Sequence, residues 1–200
     1  MTAKLPAPTV LTGRHVRLEP LAQGHVPDLF AAGGGDEEVF RWMSHEAPRT
    51  EEEMADRIGH RLADAAAGAC VPFAVVSPAD GRAIGVTCYL DASPRDESVE
   101  IGGTWYARRV WRSAVNTEAK LLLLAHAFED LGMGRVTWKT DHLNERSQNA
   151  IRRLGAQYEG TLRRHRRRPD GTWRDSVHFS MLRDEWPAAR ARLTERLAAG

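Results

Sequence analysis

The stretch Val99-Glu-Ile-Gly-Gly-Thr-Trp-Tyr106, followed by Ala107-Arg-Arg-Val-Trp-Arg-Ser-Ala114 and then by Val115 to Leu131, decides the fold of this chain. The first segment predicts a strand, the second a basic loop, and the third a long helix that ends at Gly132. Gly134 to Thr140 predicts another strand, so the unit is β-loop-α-β with a parallel strand pair. Such a unit directs the unpaired amides of its helix N-terminus toward an anion beyond the strand ends.

The segments on either side of this unit predict further strands and helices of one sheet. Thr50 and Glu53 form a capping-box pattern, which opens a helix to about Ala67. The remaining predicted elements are strands over 14–19, 71–77, 83–91 and 172–182, short helices over 25–32 and 36–42, a glycine break at 33–35, and a last helix from 184 to about 197. The sequence therefore predicts an α+β domain with one mixed sheet of about seven strands around a buried central helix.

Composition sets the broad class of the protein. The chain has 200 residues and a formal net charge of +1, so overall charge does not direct it toward nucleic acid or membranes. Cys70 and Cys88 lack metal-ligand spacing and are predicted to be reduced, and no apolar run is long enough to span a bilayer. We expect a cytoplasmic protein with a loosely held, proline-rich extension at 1–12, a main domain at 13–187 and a C-terminal helix at 188–200.

Several separated motifs resemble one known family. They are Trp111-Arg-Ser-Ala-Val-Asn-Thr-Glu-Ala-Lys120, Leu121-Leu-Leu-Leu-Ala-His-Ala-Phe128, Asn144-Glu-Arg-Ser147, Leu154-Gly155-Ala156, Glu159-Gly160, Leu162-Arg163 and Arg174-Asp175-Ser176. The chain resembles the GNAT acetyltransferases from about Leu11 to Leu197, and more narrowly the ribosomal-protein N-acetyltransferases of the RimJ/RimL-like branch. The resemblance implies the acyl-CoA N-acyltransferase (GNAT) fold and acetyl transfer from acetyl-CoA, a co-substrate, to a primary amine by direct attack in a ternary complex. It implies no metal.

In this family the loop before the central helix carries two glycines, and its amides hold the CoA pyrophosphate. Here Ala114 and Asn116 occupy the glycine positions. The amides could still face phosphate if the loop keeps negative φ, and Arg112 could compensate by its charge. The resemblance assigns cofactor binding to Trp105, Tyr106, Trp111, Arg112, Ser113, Ala114, Asn116, Thr117, Asn144 and Ser147.

Glu100 is the first candidate for the general base, through a water. Strand alternation predicts Glu100, Gly102, Thr104 and Tyr106 on one face, opposite Val99, Ile101 and Trp105. A carboxylate in an otherwise apolar strand is costly unless it is used or paired, so a salt bridge to an arginine is an equal alternative. Asp141 is the reserve base. The resemblance suggests Ser147 as proton donor to the thiolate, although Asn144 as helix cap with Ser147 three residues on would explain both residues.

The acceptor is not identified by the sequence. It could be a protein N-terminal α-amine or a small-molecule amine. Selectivity is expected from Trp42, Met43 and His45 and from a basic hairpin that contains the run over 163–168. A non-catalytic acyl-CoA-binding or regulatory protein is the main alternative, because both loop glycines are replaced. The basic run over 163–168 leaves open an RNA-associated module, although the run lacks the interleaved aromatics that favour nucleic-acid binding. A homodimer paired through the late strands is a family-level expectation.

Overall fold

The computed structural model describes residues 2–199, in which helices cover both faces of one sheet. The strands are β1 (Leu11–Thr12), β2 (Arg17–Pro20), β3 (Cys70–Val76), β4 (Ala83–Ser93), β5 (Ser98–Tyr106), β6 (Arg135–Asp141), β7 (Gln157–Arg167) and β8 (Trp173–Leu182). The helices are α1 (Val26–Gly33), α2 (Glu37–Phe40), α3 (Glu51–Ala66), α4 (Ala114–Ala125), α5 (Glu145–Leu154) and α6 (Trp186–Ala199). Short 3-10 turns lie at Gln23–His25, Arg108–Val110 and Arg183–Glu185. Met1 and Gly200, the outer ends of the predicted extension and last helix, lie outside the described residues.

The strand order is β1-β2-β3-β4-β5-β6-β8-β7. Strands β5 and β6 are parallel, and the other neighbouring pairs in the described chain are antiparallel. The predicted α+β class, mixed sheet and parallel pair are confirmed. The sheet has eight strands, because Leu11–Thr12 adds a short edge strand to the seven expected.

The central helix is buried, as predicted, but it is not regular to its end. Helix α4 gives way to a π-helical turn at His126–Asp130. The Tyr89 hydroxyl donates to the carbonyl oxygen of Leu123 (2.5 Å), close to where the backbone ladder changes. A side-chain donor at that carbonyl competes with the regular helical bond, which accounts for the local widening.

The two faces of the sheet carry different layers. Helices α4, α5 and α6 cover the side we call the back face, with Leu123, Phe179 and Trp186 among its core residues. Helices α1, α2 and α3 cover the other side, the front face, but only over β3, β4 and β5. Gly33 ends α1 against β5, since a Cβ there would lie 2.9 Å from the Trp105 ring. The glycine break is therefore a packing position.

The N-terminal segment is held against the body of the protein. Ala3 is buried, and the Lys4 amide donates to the carbonyl of Leu131 (2.9 Å). The buried Glu118 carboxylate of α4 accepts the amides of the β1–β2 turn, Arg14 (2.9 Å), His15 (2.5 Å) and Val16 (2.7 Å). The expectation of a loosely held extension over 1–12 is wrong at Ala3 and Lys4, because burial and the bond to Leu131 hold these residues. Among the described helices, none combines the length and apolarity needed to cross a bilayer.

Candidate active site

A cleft opens where β5 and β6 stop pairing. The two strands are in register only at Ser98↔Arg135, Val99↔Val136 and Glu100↔Thr137, whereas β5 continues to Tyr106. Beyond Glu100 the β5 edge that faces β6 has no strand partner within residues 2–199, so its amides and carbonyls are available to another molecule. Helices α4 and α5 follow these two strands, which brings both helix N-termini to the same end of the cleft.

Glu100 lies at the last paired position, at the start of this cleft. Its residue is 6% exposed, and its carboxylate is ion-paired with Lys139 of the neighbouring strand β6 (Oε2 to Nζ 2.6 Å). Burial raises the pKa of Glu100, against the opposing effect of the Lys139 ammonium. The predicted salt bridge therefore exists, but its partner is a lysine, and the carboxylate remains easier to protonate than an exposed one.

A β-bulge changes the predicted orientation of the residues after Gly102. Gly103 has φ +58°, and the register between β4 and β5 shifts between Cys88↔Gly102 and Val86↔Trp105. Trp105 consequently joins the front-face core, whereas Tyr106 packs in the back-face core. The prediction that Glu100 and Tyr106 share a face is wrong, because the extra residue reverses the alternation.

The loop before α4 contains no glycine and is fixed by a helix cap and by a bonded tryptophan. Ser113 caps the helix by accepting the amide of Val115 (3.3 Å). Arg112 has φ +61°, so the condition of negative φ throughout the loop is not met, and an arginine occupies a conformation that favours glycine. Trp111 is fixed by donation from Nε1 to the Tyr106 carbonyl (2.9 Å). Ala114, Asn116 and Thr117 lie in the first turn and are half-buried.

The N-terminus of α5 meets this loop through a residue that sequence reasoning did not select. The Arg146 guanidinium carbon lies 3.6 Å from the centroid of the Trp111 ring. Asn144 caps α5 by accepting the amide of Ser147 (3.0 Å), as the capping interpretation predicted. The Ser147 side-chain hydroxyl is not used in that cap. The N-terminus of α5 therefore lies against the loop before α4, and Arg112 is close enough to act on the charge of Arg146, an arrangement that suits a phosphate group.

The predicted acceptor residues are separated by the structure. His45 packs on Phe40 (ring centroids 5.6 Å apart), which packs on Trp105 of β5 (5.0 Å). Burial lowers the pKa of His45. Trp42 is half-buried under its neighbour Arg41 (5.0 Å from the ring centroid). His45 is thus linked to the cleft through two aromatic rings, whereas Trp42 is not joined to β5 by such a contact in residues 2–199.

A buried lysine lies beneath the bulge and was not selected from the sequence. Lys120 of α4 donates through Nζ to the hydroxyls of Thr104 (2.7 Å) and Thr87 (3.1 Å). Burial lowers the pKa of Lys120 to about 7. The sequence could have indicated that Lys120 is buried, because it lies between Ala119 and the leucine run and these neighbours make that part of α4 apolar on several sides.

Beyond the helices of the front face, the sheet presents a continuous polar surface that we call the charged face. Its members are Glu100, Lys139, Asp141, His165, Arg166, Arg168, Arg174, Ser176 and His178. Asp141, the reserve base, is held by Arg168 (2.7 and 3.0 Å). Burial acts to raise the pKa of Asp141, but the bonds from Arg168 and from the Leu143 amide outweigh it and lower the pKa. Asp141 is therefore a poorer proton acceptor than Glu100. Residues 2–199 contain no group of three or more metal-ligating side chains arranged around a common point.

Known proteins provide an independent comparison. The family described as Acetyltransferase (GNAT) domain matches residues 15–157. A GCN5-related N-acetyltransferase from Brucella melitensis is 31% identical with a TM-score of 0.92, and the match covers 98% of this chain and 88% of that chain. A protein from T. thermophilus, described as an acetyltransferase, is 40% identical with a TM-score of 0.87, over 96% of this chain and 98% of that one.

More distant structures share the fold. RimJ from Mycobacterium smegmatis, solved in complex with CoA-disulfide, is 20% identical with a TM-score of 0.78, and the match covers 94% of this chain and 95% of that chain. No curated protein matches the sequence. Because the family match spans most of the chain and the fold is the same over nearly its whole length, the protein belongs to the GNAT acetyltransferase family.

Proposed function

We propose that the protein is an N-acetyltransferase that moves the acetyl group of acetyl-CoA to a primary amine by direct attack in a ternary complex. The observation that carries the proposal is the buried Glu100 carboxylate at the point where β5 and β6 separate. A base with a raised pKa beside an unpaired strand edge is the arrangement that amine acetylation needs.

The chain's own residues fit acetyl-CoA at this cleft. The first-turn amides of α4, with Arg112 and Arg146, would hold the pyrophosphate, and the free β5 edge would bind the pantetheine arm. Tyr106 and Trp138 support this fit, since the Tyr106 hydroxyl and the Trp138 indole nitrogen are buried without a partner in the described chain. When bound, acetyl-CoA supplies an activated thioester.

Two side chains would handle the protons of the transfer. Glu100, directly or through a water, would accept the proton that the amine loses as its nitrogen bonds to the acetyl carbon. Ser147 would donate a proton to the sulfur released when the carbon–sulfur bond breaks. The ion pair with Lys139 favours the ionised carboxylate of Glu100, while burial keeps the pKa of Glu100 above that of an exposed glutamate.

We infer that the acceptor is a protein N-terminal α-amine, as in the RimJ/RimL-like branch, with a small-molecule amine as the alternative. An α-amine with a pKa near 8 is about one-tenth neutral at pH 7, whereas a lysine near 10.4 is neutral at only about 0.04%. A double replacement of Trp42 and His45 should change acceptor preference and leave acetyl-CoA affinity intact. An unaltered acceptor profile would remove both residues from the acceptor site.

The proposal includes a cytoplasmic homodimer. Strand β7 is an edge of the sheet, and Tyr158, Leu162, Trp173 and Leu182 of the β7–β8 hairpin are exposed large apolar residues. Such a surface supports pairing with a second copy. Both cysteines are free thiols, which agrees with a reducing compartment. Light scattering of the purified protein would test the dimer.

The first experiment is a calorimetric titration with acetyl-CoA, with desulfo-CoA and ATP as controls. We expect micromolar binding, reduced roughly 10-fold by Arg146→Gln through loss of a charged hydrogen bond. Arg153→Gln is the matched control, because Arg153 lies exposed at the other end of α5. Absence of binding would contradict the proposal. Binding without turnover of any amine would favour a non-catalytic acyl-CoA-binding protein, consistent with Ala114 and Asn116 in place of glycine.

A further inference from the structure

Two arginines of the charged face lie directly opposite each other, and neither forms a salt bridge in the described chain. Arg166 of β7 and Arg174 of β8 are register partners, and within residues 2–199 neither has a carboxylate in salt-bridge contact. Like charges placed opposite each other on adjacent strands destabilise a sheet. The neighbouring arginines differ: Arg168 is paired with Asp141, and Arg135 with Glu159. Arg166 is exposed and Arg174 is half-buried, so the pair forms a positively charged position that is open to an anion.

Unsatisfied polar atoms lie around the same pair. Arg174 Nε, Ser176 Oγ, His165 Nδ1 and His178 Nε2 are buried and have no hydrogen-bond partner in the described chain. Ser176 is 0% exposed, and the two histidine rings lie 5.8 Å apart. Buried polar atoms are normally paired, and several unpaired ones on one face point to a ligand that accepts hydrogen bonds.

The anion position lies beside the proposed base. Burial raises the pKa of Glu100 and lowers that of Arg174; the Asp141 and Glu100 carboxylates act to raise the pKa of Arg174, and the Arg166 guanidinium acts to lower that of Glu100, so these charges lie within range of one another. Strands β5 and β8 are separated by β6, which places level positions of the two strands about 10 Å apart. Glu100 is level with Ser180 through Thr137, and Arg174 lies six residues further along β8, so the arginine side chain must extend back along the sheet toward Glu100. An extended peptide covers the lateral distance in about three residues.

We infer that the acceptor is an acidic peptide N-terminus, whose α-amine meets Glu100 while a carboxylate at its second or third residue binds Arg166 and Arg174. This inference rests on the proposed acetyl transfer. It names the class of acceptor that the charged face would select, and it gives the two arginines, Ser176 and the histidines a common role in binding the peptide carboxylate. The recognition is a charge-assisted, two-pronged contact of the kind that guanidinium groups make with carboxylates.

The test compares peptides that differ only in charge. Pairs with Glu or Gln at the second or third position, otherwise identical, are acetylated by the wild type, Arg166→Gln, Arg174→Gln and the double variant. We expect the wild type to favour the Glu peptide in kcat/KM by about 10-fold or more, and the double variant to lose this preference. Free glutamate and glutamine in parallel distinguish a small-molecule acceptor from a peptide.

The matched control is Arg167→Gln. Its guanidinium lies 5.1 Å from the Trp173 ring, on the opposite side of the same strand pair, so it removes an equal charge without touching the anion position. It should keep the Glu preference of the wild type. Equal kcat/KM for the Glu and Gln peptides in the wild type would overturn the inference while leaving acetyl transfer intact.

Equilibrium binding gives a readout that does not depend on turnover. The same peptides are titrated into the wild type and the double variant in the presence of desulfo-CoA. Tighter binding of the Glu peptide, lost in the double variant, supports the anion position even if no amine is acetylated. Equal binding of both peptides to the wild type overturns it.

Discussion

The front face of the sheet has two halves with the same strand alternation, one apolar and covered by helices and the other charged and uncovered. Over β3, β4 and the end of β5, helices α1–α3 cover apolar residues such as Val86 and Trp105. Over β6, β8 and β7, equivalent positions carry Lys139, Arg174 and His178, and helices α1–α3 stop short of them. The back face of β6 and β8 is lined instead by the core residues Val136, Trp138, Val177, Phe179 and Met181. The difference shows that charge appears where the helical layer ends.

The two halves also differ in how completely their polar groups are satisfied. In the covered half, the Asp28 carboxylate of α1 accepts the amide of Ala83 at the start of β4 (3.2 Å), so a polar group under the helical layer is paired. The open half retains Arg174, Ser176 and His178 with buried atoms that have no partner in the described chain. We therefore expect changes in the open half to alter turnover more than stability, and changes in the covered half to do the reverse.

Replacement of the proposed base should give the largest effect. Glu100→Gln is expected to lower kcat/KM by about 100-fold or more, as for other general bases, with acetyl-CoA affinity retained. Since the ionised carboxylate accepts the proton, wild-type kcat/KM should rise with pH through the raised pKa of Glu100, and the variant should lose that limb. pH–rate profiles would measure both.

The control for this change is Asp91→Asn. Asp91 is exposed and contacts the same Lys139 ammonium (3.0 Å), so its loss perturbs the lysine but keeps the carboxylate of Glu100. We expect turnover within a few fold of the wild type. An equal loss in both variants would mean that Glu100 serves only to hold Lys139.

A change in the covered half should act mainly on stability. Leu29 of α1 is fully buried in the front-face core, and Leu29→Ala should lower the free energy of unfolding by about 2–5 kcal/mol. Urea denaturation would measure the loss, and kcat per folded molecule should be close to that of the wild type. A large fall in kcat without a loss of stability would break the distinction between the halves.

The buried Lys120, under the Gly103 bulge, should make the free energy of unfolding depend on pH. Because burial lowers its folded pKa to about 7, the unfolded chain binds a proton that the folded chain has released between about pH 7 and 10.4. The free energy of unfolding should therefore rise with pH in this window, by up to about 1.4 kcal/mol per pH unit. Lys120→Met should remove this slope, measured by urea unfolding at pH 7.5 and 9.

Lys4→Met supplies the comparison for Lys120, since the Lys4 side chain is exposed. It should leave the pH slope of the wild type in place. If Lys120→Met and the wild type show the same slope, the Lys120 ammonium is equally protonated in the folded and unfolded chains.

Ser147 should give a smaller effect on turnover. Ser147→Ala is expected to lower kcat by about 10-fold, the low end for a proton donor, with little change in acetyl-CoA affinity. Asn144→Ala should instead cost about 1 kcal/mol of stability, because it removes the α5 cap. Parallel losses of binding and turnover in Ser147→Ala would indicate a structural role for the hydroxyl.

The smallest effect on stability is expected in the open half. Ser176 is fully buried there, yet its hydroxyl is unpaired in the described chain. Ser176→Ala should change the free energy of unfolding by less than about 1 kcal/mol, because no hydrogen bond is lost. A loss as large as that of Leu29→Ala would show that the open half is part of the stability core.

Much of the fold was predictable because it follows from local patterns. The β5-loop-α4-β6 unit, the Thr50 cap of α3, the β3–β4 hairpin and the Asn144 cap of α5 agree with the sequence. Each depends on periodicity, turn residues or caps within a few positions of the chain. Glu100 could be selected for the same reason, since a carboxylate stands out in an apolar strand.

The sequence by itself determined the order of elements, the basic loop before the buried helix and the candidate carboxylate. Only the tertiary structure decided that the Gly103 bulge places Trp105, and not Tyr106, on the face of Glu100, that Lys139 pairs with Glu100, and that Arg166 faces Arg174. These features depend on strand register between distant segments. A shift of one residue exchanges the two faces of a strand, and local sequence does not specify that shift.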